Sequence, residues 1–96
     1  MEKSTLPSKE YLYVAAAALE NAEEAKFFFK FLCTDKETQL IAQRLYVAKL
    51  LSENKVYSEI VEKTGASSAT VSRVKRAMET DRDYFAKLLG KLNEQL

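Results

Sequence analysis

Apolar residues recur along this chain at helical spacing, with no stretch of strict alternation. Tyr11, Leu12, Val14, Ala15, Ala18 and Leu19 predict a first helix over residues 9–20, with Ser8 in position to cap it. The alanines at 15–18 favour helix strongly and leave room for a second backbone to approach. Asn21 and Glu24 have capping-box spacing and open a second helix that carries Ala25, Phe27, Phe28, Phe29, Phe31 and Leu32. Thr34 and Glu37 repeat that box, with Asp35 also suited to a helix N-terminus. The long third helix predicted there runs to residue 53 and holds Leu40, Ile41, Leu45, Tyr46, Val47, Leu50 and Leu51. After a connector at 52–56, two short helices follow, 58–63 with Ile60 and Val61 inward, then one with Val71 and Val74 inward. Thr80 and Asp83 look like a further cap. They open a last helix to residue 95 with a stripe of Phe85, Leu88, Leu89, Leu92 and Leu96. Gly90 inside it costs about 1 kcal/mol relative to alanine and marks either a close helix crossing or a fraying end.

The second helix is too apolar for a surface helix. Successive helix residues turn by about 100°, so Phe27, Phe28 and Phe29 alone sweep about 200°. Either a second copy of the chain covers this surface, or the helix threads the centre of its own domain. A small domain has little interior, and large apolar patches do not stay in water, which favours the second copy.

The stretch from Tyr57 to Arg76 is the organising element. Gly65 suits a helix end because it takes positive φ without a Cβ clash. Ser67 then restarts the chain as an N-cap. Ser67, Ser68, Ala69, Thr70 and Ser72 are small or polar, and Arg73, Lys75 and Arg76 follow them. Spacing alone leaves two readings open, an ordinary helix pair with a glycine corner or a helix-turn-helix. Charge favours the second, because no carboxylate lies between Ser67 and Ala77. Small residues on a leading turn let a backbone approach base edges, and the basic residues behind them can meet phosphate or a guanine. In the bland alternative the serines only cap and the basic residues only solvate a helix.

Composition narrows the function. A chain of 96 residues is expected to be one domain, with residues 1–7 as a flexible leader. Gly65, Gly90 and Pro7 are its only strong breakers, which argues for an all-α fold joined by short turns. The net charge of +1 implies modest non-specific affinity for nucleic acid, with a dependence on salt. Cys33 is the sole cysteine and there is no histidine, so an internal disulfide, a structural zinc site and His-based catalysis are excluded. Cys33 reads as a small apolar group. No phosphate-cradling glycine motif, signal peptide or membrane-length apolar run occurs. A non-enzymatic cytoplasmic protein without cofactor or metal is expected.

The segment L-C-T-D-K-E-T-Q-L-I-A-Q-R-L-Y-V-A-K-L-L from Leu32 to Leu51, with G-A-S-S-A-T-V-S-R from Gly65 to Arg73, resembles the Trp repressor superfamily. It is most similar to the small Trp-repressor-related proteins of the YerC/YecD type. The resemblance covers residues 28–78 well and the ends only by helix order. It implies a six-helix, intertwined homodimer, with residues 8–56 and 80–96 as dimerisation helices and 57–79 as the helix-turn-helix. It also implies a transcriptional regulator, most simply a repressor, on a palindromic stretch of double-stranded DNA, its two heads about 34 Å apart. The alternative class is a helical interaction module that kept the fold without DNA binding. In tryptophan-binding members, residues matching Thr34, Arg44, Thr70 and Arg73 surround the amino acid, which makes these the candidate effector-binding positions. Those members have glycine after the recognition-helix arginine, where this chain has Val74, so tryptophan is disfavoured as the effector. Apart from that role, Arg44 is a snorkelling or paired structural arginine. Ser58 and Val61 stand where Trp repressors place basic residues, which removes phosphate contacts.

Overall fold

The computed structural model describes residues 8–95. They form six helices and, among the described residues, no strand: α1 (Lys9–Ala17), α2 (Ala22–Leu32), α3 (Asp35–Ser52), α4 (Tyr57–Thr64), α5 (Ser68–Thr80) and α6 (Arg82–Gln95). The leader and Leu96 lie outside the described residues. The chain groups into two compact units that divide within α3, between Thr38 and Gln39.

The first unit holds α1, α2 and the first turn of α3. Helix α1 stops at Ala17, short of the predicted residue 20. The next cap is the reason. Asn21 is extended and its side chain accepts from Glu24 N at 2.9 Å, while the Glu24 carboxylate accepts from Glu20 N at 2.9 Å. Residue 20 is therefore drawn into the start of α2. The predicted box at Thr34 closes in both directions, Glu37 N to Thr34 Oγ1 at 3.1 Å and Thr34 N to Glu37 Oε1 at 2.8 Å. Phe28 and Phe29 meet edge to face, with centroids 5.8 Å apart. Neither α1 nor α2 has a buried residue. Phe27 is 57% exposed and Phe31 84%.

The second unit has the core. Val47 and Leu50 of α3 pack with Ile60 of α4, Ala66 of the corner and Val71 of α5, and Leu51, Tyr57, Val61 and Val74 close around them. Burying a Val, Leu or Ile side chain stabilises by about 1.5–3 kcal/mol, so this cluster is what holds α4 and α5 against α3. Helix α4 runs one residue beyond the predicted 58–63 at each end. It ends at Gly65, whose φ of 75° is left-handed, and Gly65 N donates to Val61 O at 2.9 Å. A Cβ at Gly65 would have space, with its nearest neighbour, Gln43 Nε2, at 3.8 Å. The strain of Gly65→Ala is therefore purely conformational. The expected destabilisation is about 1–2 kcal/mol, read as a lower thermal midpoint with no change in helix content.

Thr80 does not cap α6. It is the last residue of α5, and its hydroxyl donates back to Arg76 O at 3.0 Å, a bond that a threonine in helical backbone makes in place of capping. Asp81 breaks the helix, and Phe85 N donates to Asp81 O at 3.1 Å to start α6. Helix α6 continues through Gly90, where an added Cβ would meet nothing within 4 Å among the described residues of its unit.

Candidate nucleic-acid interface

Helix α5 carries every residue expected to face DNA except its cap, Ser67. Val71 is fully buried, and Val74 and Met78, three and seven residues on, are half-buried on the same face. Ala69, Arg73 and Arg76, spaced i, i+4 and i+7, share the opposite face, and all three are exposed. Packing on one side thus fixes what the other side presents.

The remaining candidates separate by position. Ser67 is taken up by capping, since its hydroxyl accepts from Thr70 N and donates to Thr70 Oγ1, both at 3.1 Å. Ser68 is exposed on the leading turn, whereas Thr70 and Ser72 are half-buried. Lys75 leans toward α4, its Nζ 5.7 Å from the centre of the Tyr57 ring. Sequence reasoning did not single out Tyr57. Its signal was there, as an aromatic eighteen residues before a lysine on the partner helix, but only the corner geometry brings the two together.

Helix α4 adds little positive charge. Lys63 is paired to Glu59 at 3.1 Å. The hydrogen bond from Lys63 holds the Glu59 carboxyl below its ordinary range, and the same bond raises Lys63. The Glu59 contribution is present at neutral pH and fades as pH falls through its lowered value. An exposed pair of this kind contributes little to stability.

Beside α5 lies a cleft of about 380 Å³ lined by Arg44, Leu45 and Ala48 of α3, Thr70, Arg73, Val74 and Ala77 of α5, and Phe85 of α6. Three of the four candidate effector residues, Arg44, Thr70 and Arg73, therefore share one wall system. Thr34 belongs to the first unit, where its hydroxyl caps α3. The cleft lining contains two guanidinium groups and no carboxylate, and Val74 stands in it as a side chain. Among the described residues no group of His, Cys, Asp or Glu could hold a metal ion, and no helix is long and apolar enough to cross a membrane.

A core-seated helix pair with a left-handed glycine corner and an outward basic face defines a helix-turn-helix protein. The chain belongs to the Trp repressor family, since the family described as Trp repressor protein matches residues 9–93. It is 42% identical over 83 residues to the uncharacterised protein YerC of Bacillus subtilis (strain 168), covering 86% of this chain and 80% of that one. A TrpR-like protein from Eubacterium eligens superposes with a TM-score of 0.80 at 36% identity, covering 95% of this chain and 96% of that one. A candidate Trp repressor from Staphylococcus aureus superposes at 0.81 with 39% identity, covering 97% and 95%. The fold is thus the all-α, six-helix Trp-repressor-like fold that the sequence resemblance implied. The family is one of DNA-binding regulators, not of enzymes.

Proposed function

We propose that this protein is a cytoplasmic, sequence-specific transcription regulator, a repressor that binds a palindromic operator as a homodimer. The observation that carries the reading is the outward face of α5. Ala69, Arg73 and Arg76 stand exposed on one side of a helix whose other side is locked into the core. Ala69 and Ser68 let the backbone approach base edges, while Arg73 and Arg76 neutralise phosphate or fork onto a guanine. Lys75 supplies a further phosphate contact from the flank beside Tyr57.

The dimer reading rests on the first unit. Two helices with no buried residue, one of them carrying Phe27, Phe31 and Leu32 half or more exposed, do not hold together alone in water. A second copy, with residues 8–56 and 80–96 as the joining helices, supplies the missing interior. Two experiments test the proposal, selection of bound fragments from a genomic library and the mass of the protein in solution. A monomer that retains no fragment at low salt would point instead to an interaction module that kept this fold.

The cleft at Arg44, Thr70 and Arg73 fits a small effector with an anionic group and an apolar body, since cationic and apolar side chains line it together. Tryptophan is a poor fit where Val74 occupies the wall. Adding tryptophan at millimolar concentration is expected to leave the thermal midpoint unchanged, whereas a ligand at a hundred times its Kd would stabilise by about 2.7 kcal/mol and raise it visibly.

A further inference from the structure

One face of α3 looks at the helix-turn-helix corner. Gln43, Val47 and Leu50 stand at i, i+4 and i+7, with Val47 and Leu50 in the core and Gln43 as the half-buried polar end of the stripe. Gln43 Nε2 donates to Thr64 O at 3.1 Å, a bond spanning 21 residues of chain. Thr64 O is one of the last carbonyls of α4, a group that helix geometry leaves without an intrahelical partner. The Thr64 hydroxyl donates to Ile60 O at 2.7 Å and accepts from Ala66 N at 3.1 Å. Ala66 is buried in the core, and the next residue, Ser67, caps α5. An amide on α3 is thereby tied through Thr64 and Ala66 to the first turn of the helix that carries Ala69, Arg73 and Arg76.

We propose that Gln43 is a positioning residue for sequence reading, a strut from α3 that fixes the angle at which α5 meets the duplex. The inference rests on the DNA-binding reading and extends it to specificity. Phosphate attraction is long-ranged and survives a small tilt of α5. Hydrogen bonds to base edges need heavy atoms within about 3.2 Å and good alignment, so they do not. Removing the strut therefore costs preference between sequences more than it costs adhesion.

The test compares two duplexes of equal length. One carries the sequence that the wild-type protein selects from a random pool, and the other is a scramble of it. Gln43→Met keeps the volume and removes the donor. It is expected to lower the preference for the selected duplex about tenfold, the discrimination lost when roughly one base contact falls out of alignment. Binding to the scramble and its salt dependence stay as in wild type. Gln43→Asn keeps the amide but falls one methylene short, and is expected to lie between. Ile60→Val serves as the control, since it weakens the same core without touching the strut, and it is expected to keep the wild-type preference at a lowered thermal midpoint. The inference is overturned if Gln43→Met retains the full preference, if it loses affinity for both duplexes in parallel, or if Ile60→Val loses as much preference. A wild-type protein that selects no sequence overturns the DNA-binding reading itself, and this inference with it.

Discussion

Replacing Arg73 and Arg76 together by alanine is expected to weaken binding to selected DNA at least several-fold and to flatten its dependence on salt. The two side chains are exposed on the side of α5 away from the buried Val71, so their loss leaves the core untouched. Each phosphate contact removed lowers the slope of log affinity against log salt by about one. An arginine that is bidentate to a guanine contributes about 1–3 kcal/mol of discrimination, so its removal also relaxes the preferred sequence. The thermal midpoint should stay close to wild type, because exposed arginines away from the core contribute little to folding. A titration by fluorescence anisotropy at several salt concentrations checks both effects. Unchanged affinity and slope would remove α5 as the reading helix.

Phe27→Glu with Phe31→Glu is expected to abolish the proposed dimer or to leave the first unit unfolded. Both rings are more than half exposed in the single chain, and α2 has no buried residue to lose. A carboxylate forced into an apolar interface costs several kcal/mol unless it is paired, enough to abolish association at micromolar concentration. Sedimentation equilibrium reads the outcome. The wild type should sediment at twice the chain mass and the variant at the chain mass. DNA binding should fall with the dimer, since each head alone makes half the contacts. A wild-type monomer with a well-folded first unit would defeat the intertwined reading.

The elements were legible where the caps carry side-chain signatures. Asn21–Glu24, Thr34–Glu37 and Ser67–Thr70 all close hydrogen bonds where the sequence placed a helix start. The corner at Gly65 was legible for a related reason, because glycine takes that φ without a Cβ clash. Thr80 misled because threonine has two local uses. It can cap forward or bond back to the preceding turn, and spacing alone does not distinguish them. The basic residues of α5 form one group in the sequence, yet only packing shows that Lys75 sits beside Tyr57 while the exposed Arg73 also borders the cleft lined by Arg44. Gln43 went unmarked because a glutamine on a long helix resembles any solvated residue. Its partner lies 21 residues away and is a backbone carbonyl, which no side-chain pattern reveals. Arg44 was read from family resemblance, and the cleft it shares with Thr70 and Arg73 becomes visible only once α3 and α5 are in place.

Helices α5 and α6 are separated by Asp81 alone. A one-residue joint has a reach of at most about 3.6 Å and leaves almost no slack. Any displacement of the start of α6 is therefore handed on to the end of α5, as between two rods joined by a short link. In a two-copy assembly the distance between reading heads would be built into the protein like the span of a caliper, where a longer linker would let each head search on its own.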